Sequence, residues 1–169
     1  MPDDHKLAFD PIVEARRHWF TRGWGEAAPG MAVVTSIMRV QQLFMARADA
    51  VLRGFGLTFA RYEVLMLLFF SGHGELPLGK VGERLQVGPA SVTNAVDRLQ
   101  ADGLVTRRAN PVDGRGVLAA ITPTGRRLVR RATDEINDQF FTSLELSREE
   151  LDSLFGLLKE LRRRAGDFA

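Results

Sequence analysis

Apolar residues return at helical spacing along most of the chain, and glycine-rich or polar stretches separate these apolar runs. Between Met31 and Arg53 they recur at every third or fourth position, which predicts a long amphipathic helix of about six turns. A shorter helix is predicted before it, over residues 10–22. Another is predicted to begin after Thr58, whose hydroxyl suits an N-cap. The N-terminal part of the chain is therefore predicted to contain three successive helices.

The middle of the chain predicts two short helices joined by a tight turn. An edge strand at 76–78 precedes a helix over 79–85. The next helix begins at Pro89, where the missing N–H of proline costs nothing, and stops at Gly103. Its apolar positions Val92, Val96 and Leu99 share one face, which we expect to be buried.

A hairpin and two further helices complete the predicted order. The hairpin arms lie at 104–109 and 117–122, and the helices at 123–143 and 147–164. A turn rich in Asn, Pro, Asp and Gly separates the two arms. Ser147 followed by Glu150 has the spacing of a capping box at the start of the last helix. The predicted fold class is mainly α (α+β).

Positive charge is concentrated in one part of the chain. Residues 84–131 hold nine Lys and Arg against three Asp and Glu, whereas residues 1–83 hold nine of each and residues 132–169 hold five against nine. Such a basic segment is expected where a protein meets phosphates. For four of these arginines an alternative interpretation is equally acceptable, namely that they form a solvated helix face without contacting phosphates. They are Arg126, Arg127, Arg130 and Arg131.

Composition excludes several classes of site. The chain has no cysteine, so it has neither disulfides nor thiolate metal ligands, and its three histidines show no ligand spacing. We therefore expect no metal site and no cofactor. No apolar run is long enough to cross a membrane, and the acidic N-terminus does not suit a signal peptide, which predicts a cytoplasmic protein without a membrane partner. Without paired carboxylates, a nucleophile–histidine set or a phosphate loop, an enzyme is not expected.

The helix that begins at Pro89, here named the reading helix, presents small polar residues opposite its apolar face. The outward positions are Ala90, Asn94, Asp97 and Ala101, flanked by Ser91, Thr93 and Arg98. Small residues let a helix enter the major groove, where Ser, Thr and Asn hydrogen-bond base edges and Asn can bridge adenine. Arg98 can reach guanine or phosphate, and the amides near Ala90 and Ser91 suit a phosphate oxygen. The alternative is a solvated surface helix.

The hairpin supplies further cations. Arg115, with Asp113 two residues before it, suits a narrow minor groove, where the negative potential is enhanced. Arg107 and Arg108, at the base, are predicted to contact phosphates. Asp97 is unfavourable beside DNA, so we expect it to orient an arginine, either Arg98 or one from the hairpin.

The terminal helices carry more apolar residues than so small a core can cover. The surplus lies in the long N-terminal helix and in the helices over 123–143 and 147–164. A second copy of the chain is the simplest partner for these faces. We therefore expect a homodimer with two-fold symmetry.

Several motifs together resemble the MarR family of winged helix-turn-helix regulators. They are Leu57-Thr58, Val92-Thr93-Asn94, Arg98-Leu99, Gly103-Leu104-Val105, Asp113-x-Arg115 and Ile121-Thr122-Pro123-Thr124-Gly125. The resemblance covers about residues 35–143. It implies a single domain over 1–169, with dimerisation helices at 10–56 and 123–165 and a winged helix DNA-binding region at 57–122. It also implies a homodimeric repressor on a near-palindromic operator of double-stranded DNA, released by a small phenolic or anionic ligand.

The resemblance also implies a ligand pocket between the dimerisation region and the DNA-binding region. The candidate residues are Trp19, Arg39, Arg61, Tyr62 and Glu63. An aromatic ring and a guanidinium suit an anionic aromatic ligand. The simpler interpretation is that the aromatic residues are core and the arginines solvated. The extra helix with Trp19 resembles the urate-responsive branch, but that branch has Asp in place of Glu63 and Arg in place of Ala95, so the ligand stays open.

One alternative function remains open. A non-specific architectural protein bends or wraps DNA without base readout. Ser91, Thr93 and Asn94 favour sequence-specific binding, because an architectural protein does not need hydrogen-bonding groups on a groove-facing helix.

Overall fold

The structure, a computed structural model, describes residues 7–111 and 116–168. Its helices are α1 (Pro11–Thr21), α2 (Ala28–Leu52), α3 (Phe59–Phe70), α4 (Leu78–Leu85), α5 (Pro89–Ala101), α6 (Pro123–Ile136) and α7 (Arg148–Arg164). Its strands are β1 (Glu75–Pro77), β2 (Val105–Ala109) and β3 (Val117–Ile121). The chain divides into two compact units, with Tyr62 the last residue of the first unit and Glu63 the first of the second. The predicted order of elements is confirmed.

The N-terminal unit consists of α1, α2 and the start of α3. The Asp10 carboxylate caps α1 by accepting a hydrogen bond from the Ile12 amide at 2.8 Å. The Asp49 carboxylate, near the end of α2, accepts the Phe59 amide at 2.7 Å and so fixes where α3 begins. Every residue of α2 from 37 to 47 is exposed in this unit.

The C-terminal unit is built around a small antiparallel sheet in the order β1-β3-β2. The hairpin register pairs Val105 with Ile121 and Ala109 with Val117, and β1 lies on the other edge of β3. Helices α4 and α5 pack beside the sheet and bury Val81, Val92, Val96, Leu99 and Val105 almost completely. This apolar core fixes which face of α5 points outward.

The junction between α5, the sheet and α6 is closely packed. The Thr122 hydroxyl donates to the Gly103 carbonyl at 2.9 Å and accepts the Gly125 amide at 3.0 Å, so that one side chain caps α6 and binds the chain that follows α5. Gly125 lies against the Leu104 backbone, and a Cβ there would stand 2.3 Å from the Leu104 carbonyl oxygen. Only glycine fits this contact.

The helix predicted over 123–143 is shorter in the structure. Helix α6 ends at Ile136, and the chain continues as a π-helical segment, Asn137–Phe141. The Thr142 amide reaches back five residues to the Asn137 carbonyl at 3.0 Å, and the Thr142 hydroxyl donates to the same oxygen at 2.8 Å. This additional hydroxyl bond favours the wider turn, which apolar spacing cannot predict.

The predicted capping box at the start of α7 is confirmed. The Ser147 hydroxyl accepts the Glu150 amide at 3.2 Å, and the Glu150 carboxylate accepts the Ser147 amide at 2.8 Å. No helix within residues 7–111 and 116–168 is long and apolar enough to cross a membrane.

Replacing Ser147 with alanine is expected to lower the free energy of unfolding by about 1 kcal/mol, because one amide of the first turn loses its acceptor. Urea denaturation measures the change. Ser153→Ala, an exposed serine inside the same helix, is the control and should be neutral or slightly stabilising. Equal losses in the two variants would show that the cap contributes nothing specific.

Candidate nucleic-acid interface

Helix α5 turns a continuous small, polar surface toward solvent. Val92, Val96 and Leu99 are at most 2% exposed and hold the helix on the core. The opposite side exposes Ala90, Ser91, Thr93, Asn94, Asp97, Arg98 and Ala101. The predicted inward and outward faces of the reading helix are therefore confirmed, and the surface has the donors and acceptors that base edges require.

Arg107 of β2 holds this helix in place. Its Nη1 lies 2.5 Å from Asp97 Oδ1, and its Nη2 donates to the Thr93 carbonyl at 3.2 Å. Its Nε is buried and has no hydrogen-bond acceptor among the described residues. Of the two partners expected for Asp97, the structure selects the hairpin arginine. The pair balances the charge of the one carboxylate on the outward face of α5.

Arg107 therefore has a structural contact that the sequence did not specify. Its side chain is 25% exposed, so part of the guanidinium remains accessible. The predicted phosphate contact of Arg107 stays a prediction. Its contacts to α5 show how strand β2 and the reading helix are held together.

Arg108 makes a second link, across the sheet. Its Nε donates to Glu75 Oε2 at 3.0 Å and its Nη2 donates to Glu75 Oε1, a bidentate pair between the two edge strands β2 and β1. These hydrogen bonds lower the pKa of the Glu75 carboxyl and raise the pKa of the Arg108 guanidinium. Half of the Arg108 side chain is exposed, and its predicted phosphate contact is likewise still a prediction.

The Arg108–Glu75 pair makes stability depend on pH in acid. Because the folded-state pKa of Glu75 lies below its ordinary value of 4.5, the pair stabilises the fold above that value and loses its effect as the pH falls through the folded-state pKa. Glu75→Gln should therefore be less stable than wild type at pH 7 and equally stable at strongly acid pH. Urea denaturation across this range measures the difference.

The control for this pH dependence is Glu83→Gln, which removes an exposed carboxylate of α4 that pairs with Lys80 at 2.7 Å. It should give a smaller change, since exposed pairs one helical turn apart contribute little. A deficit of Glu75→Gln that stays the same from neutral to acid pH would contradict the assignment.

The tip of the hairpin, with the predicted minor-groove residues Asp113 and Arg115, lies outside the described residues. The Asn110 amide donates to the Gly116 carbonyl at 2.9 Å, which continues the strand pairing to the last described residues on either side of the tip. The hairpin itself is thus confirmed, and the roles of its tip residues remain predictions.

The predicted ligand residues fall in both units. Trp19 is half-buried against Trp24, with the ring centroids 5.5 Å apart in a T-shaped arrangement. Arg39 is exposed and donates to the Gln42 side chain at 3.2 Å. Glu63 belongs to the C-terminal unit, and partial burial raises the pKa of its carboxyl.

Arg61 lines a cavity in the N-terminal unit. The cavity measures about 310 Å³ and is bordered by Asp49, Arg53, Gly56, Leu57, Thr58 and Arg61. Tyr62 is 6% exposed, and its ring lies 6.0 Å from that of Phe59, so it packs as a core aromatic. Of the predicted ligand residues, Arg61 alone borders this cavity, and the pocket proposed from the resemblance stays a prediction.

Two residues of the site were not singled out from the sequence. Glu75 had no signal, because its partner Arg108 stands 33 positions away and the strand register decides whether they meet. Gln86, in the turn between α4 and α5, has a left-handed backbone with φ of +54°, which sequence patterns do not indicate for glutamine.

Comparisons with known proteins agree on one family. A sequence profile of the MarR family matches residues 55–116. The HTH-type transcriptional regulator MhqR of Bacillus subtilis is 31% identical over 117 residues, covering 67% of this chain and 77% of that protein. The solved structure of Sco5413, a MarR family transcriptional regulator from Streptomyces coelicolor, is 51% identical, covers 83% of this chain and 97% of its own, and superposes with a TM-score of 0.77.

A third similar protein was solved together with DNA. It is Sco3205, a MarR family transcriptional regulator from Streptomyces coelicolor, 25% identical and covering 76% of this chain and 83% of its own, with a TM-score of 0.68.

Proposed function

This chain belongs to the MarR family of DNA-binding transcriptional regulators, and from that premise we propose that it is a homodimeric repressor. In this proposal the dimer holds a near-palindromic operator and leaves it when a small anionic or phenolic ligand binds. In the same proposal the chain acts as one domain over 1–169, with dimerisation helices at 10–56 and 123–165 and a winged helix region at 57–122.

The observation that carries the proposal is the exposed polar face of α5, oriented by the Arg107–Asp97 pair. In the major groove Asn94 bridges an adenine, and Ser91 and Thr93 hydrogen-bond neighbouring base edges. Arg98 contacts guanine or phosphate at the side of the helix. Phosphate contacts from Arg107 and Arg108 set the register of the winged helix region on the duplex. The backbone amides at the helix N-terminus near Ala90 add another phosphate contact.

Exposed apolar side chains support the homodimer in each unit separately. In the N-terminal unit α2 exposes Val33, Val34, Ile37, Met38, Val40, Leu43, Phe44 and Met45, each by 37% or more. In the C-terminal unit α7 exposes Leu154, Phe155, Leu157 and Leu161, each by 44% or more. Contiguous apolar surface of this kind marks an interaction site. A second copy of the chain covers the exposed apolar side chains of both α2 and α7. It also provides the second reading helix that a near-palindromic operator needs.

The ligand part of the proposal rests on the family and on the cavity beside Arg61. Two guanidinium groups, from Arg53 and Arg61, and one carboxylate, from Asp49, border that cavity. The excess of positive charge favours an anionic ligand. Trp19, Arg39, Tyr62 and Glu63 remain the other proposed ligand residues.

The experiment that tests the proposed function is selection of duplexes from a random pool, followed by gel-shift titration. The selected sequence should be near-palindromic and should bind at least about a thousandfold more tightly than unrelated DNA at physiological salt. Affinity should fall steeply as salt rises, because cations on the protein displace counterions from phosphates. Equal affinity for all duplexes would instead identify a non-specific architectural protein.

Arg115→Ala is expected to weaken operator binding about tenfold or more, because a guanidinium in a narrow minor groove meets an enhanced negative potential. The dimer should stay intact by light scattering. Arg148→Ala, which removes an arginine side chain 90% exposed at the start of α7, is the matched control and should bind normally. Unchanged affinity of Arg115→Ala would refute the minor-groove role of the hairpin tip.

A further inference from the structure

The last turn of α7 ends in a compact hook. Gly166 has a φ of +78°, and its amide donates to the Arg163 carbonyl at 3.1 Å. The Asp167 amide donates to the Arg162 carbonyl, also at 3.1 Å. These two bonds form a Schellman motif, in which a left-handed glycine reverses the chain after a helix. We name Gly166, Asp167 and Phe168 the C-terminal hook.

Arg162 fixes the shape of the hook. Its Nε lies 2.7 Å from Asp167 Oδ2, and its Cζ lies 5.2 Å from the centroid of the Phe168 ring. Hydrogen bonding from Arg162, and then from Gln86, lowers the pKa of the Asp167 carboxyl. One arginine thus binds both the Asp167 carboxylate and the Phe168 ring. These contacts fix the position of the Asp167 main-chain carbonyl.

That carbonyl meets the turn of the helix-turn-helix. Gln86 Nε2 donates to the Asp167 carbonyl oxygen at 3.2 Å, across 81 positions of sequence. Gln86 is the C-cap of α4, and its own amide donates to the Gly82 carbonyl. Only Val87 and Gly88 separate it from Pro89, the first residue of α5. The contact therefore joins the end of α7 to the segment that sets the direction of the reading helix.

We propose that Gln86 is a positioning residue, through which the C-terminal hook of α7 sets the tilt of α5 on DNA. The inference rests on the proposed function, in which α7 belongs to the dimer interface and two reading helices meet one operator. Helix α7 is continuous from Arg148 to Arg164. A shift of α7 in the dimer therefore moves the C-terminal hook and, through Gln86, the turn before α5.

The proposed contact has a specific consequence for recognition. The two reading helices of a dimer bind half-sites about one turn of the DNA helix apart. If each winged helix region is rigid, the dimer tolerates little change in that separation. When the hook is released, each α5 can adjust its direction more freely. Operators with a wrong half-site spacing are then penalised less, while the base contacts themselves are retained.

Four variants and the wild-type protein test the proposal on three duplexes. The variants are Gln86→Met, a chain ending at Ala165, the combination of both, and the control Gln100→Met, an exposed glutamine near the end of α5. The duplexes are the operator selected by the wild-type protein and two derivatives with the centre lengthened or shortened by one base pair. The readout is the ratio of affinities for correct and altered spacing.

Each single variant should lower that ratio about fivefold, the scale of one lost hydrogen bond. The combined variant should lower it no further, because both changes remove the same contact. Gln100→Met should keep the wild-type ratio. An unchanged ratio in both single variants, or losses that multiply in the combined variant, would overturn the proposal.

Amide hydrogen exchange tests the same contact without DNA. Release of the hook should accelerate exchange at Val87, Ser91 and Val92, the amides that follow Gln86. Unchanged exchange in both Gln86→Met and the chain ending at Ala165 would also overturn the proposal. If the wild-type protein selects no near-palindromic duplex while exchange does accelerate, the proposed function fails and the hook contact stands.

Discussion

Replacing Asn94 with alanine is expected to weaken operator binding about thirtyfold for each half-site, because one bidentate contact to a base edge contributes about 2 kcal/mol. A homodimer loses this contact on both half-sites, so the expected total loss is about a thousandfold. Affinity for unrelated duplex DNA should change little, since that binding depends on phosphate contacts. Asn94 is exposed on the outward face of α5, on the side opposite the buried Val92, Val96 and Leu99. The substitution therefore removes recognition without disturbing the core.

Gel-shift titration on the selected operator and on a scrambled duplex measures both affinities. Gln100→Ala is the matched control, because Gln100 is exposed on the same helix but on a different side from Asn94. It should bind both duplexes as the wild type does. If Asn94→Ala lost affinity equally for the operator and the scrambled duplex, α5 would contact phosphates and not bases.

Replacing Gly125 with alanine is expected to lower the free energy of unfolding by about 3 kcal/mol, the upper part of the range for overpacked sites. The added Cβ would stand 2.3 Å from the Leu104 carbonyl oxygen and 2.9 Å from Ile121 Cγ1. Neither neighbour is the free end of a flexible side chain, so the start of α6 and the chain after α5 have to move apart.

Thermal and urea denaturation at one protein concentration measure this loss. Gly79→Ala, in the first turn of α4, is the control, because a Cβ there meets no atom within 4 Å. It should be neutral or stabilising by less than about 1 kcal/mol. Similar stabilities of the two variants would mean that the junction at Gly125 is more adaptable than its packing indicates.

The helical fold could be predicted from the sequence because its signals are local. Apolar spacing placed Val92, Val96 and Leu99 inward, and the capping pair of Ser147 and Glu150 marked the start of α7. Such patterns depend on neighbours within one or two helical turns, and the structure confirms them. The polar face of α5 followed from the same periodicity.

Contacts between distant segments could not be predicted in this way. Glu75 and Arg108 meet only because β1 and β2 both pair with β3, and Gln86 meets Asp167 only because α7 ends beside the α4–α5 turn. For Asp97 the sequence left two arginine partners open, and the pairing with Arg107 depends on how β2 lies against α5. Local spacing carries no information about these three-dimensional relations.

The candidate site likewise has features that the sequence predicts and features that only the tertiary structure shows. Which residues of α5 face outward follows from helical periodicity, whereas the contacts that orient α5 follow from tertiary structure. The ligand residues were proposed from a resemblance, and the position of Arg61 beside a cavity is the feature that the structure adds to them. A ligand binding there is proposed to act on DNA binding through the helices of the dimer.

Protection of the selected operator from dimethyl sulfate shows whether α5 occupies the major groove, because this reagent methylates the N7 atom of guanine there. Two protected major-groove patches are expected about 10 base pairs apart, one for each reading helix of a dimer. Asn94→Ala should weaken both patches together. Protection spread evenly along the duplex, or absent from the guanines of both half-sites while the protein is bound, would contradict the assignment of α5 as the reading helix.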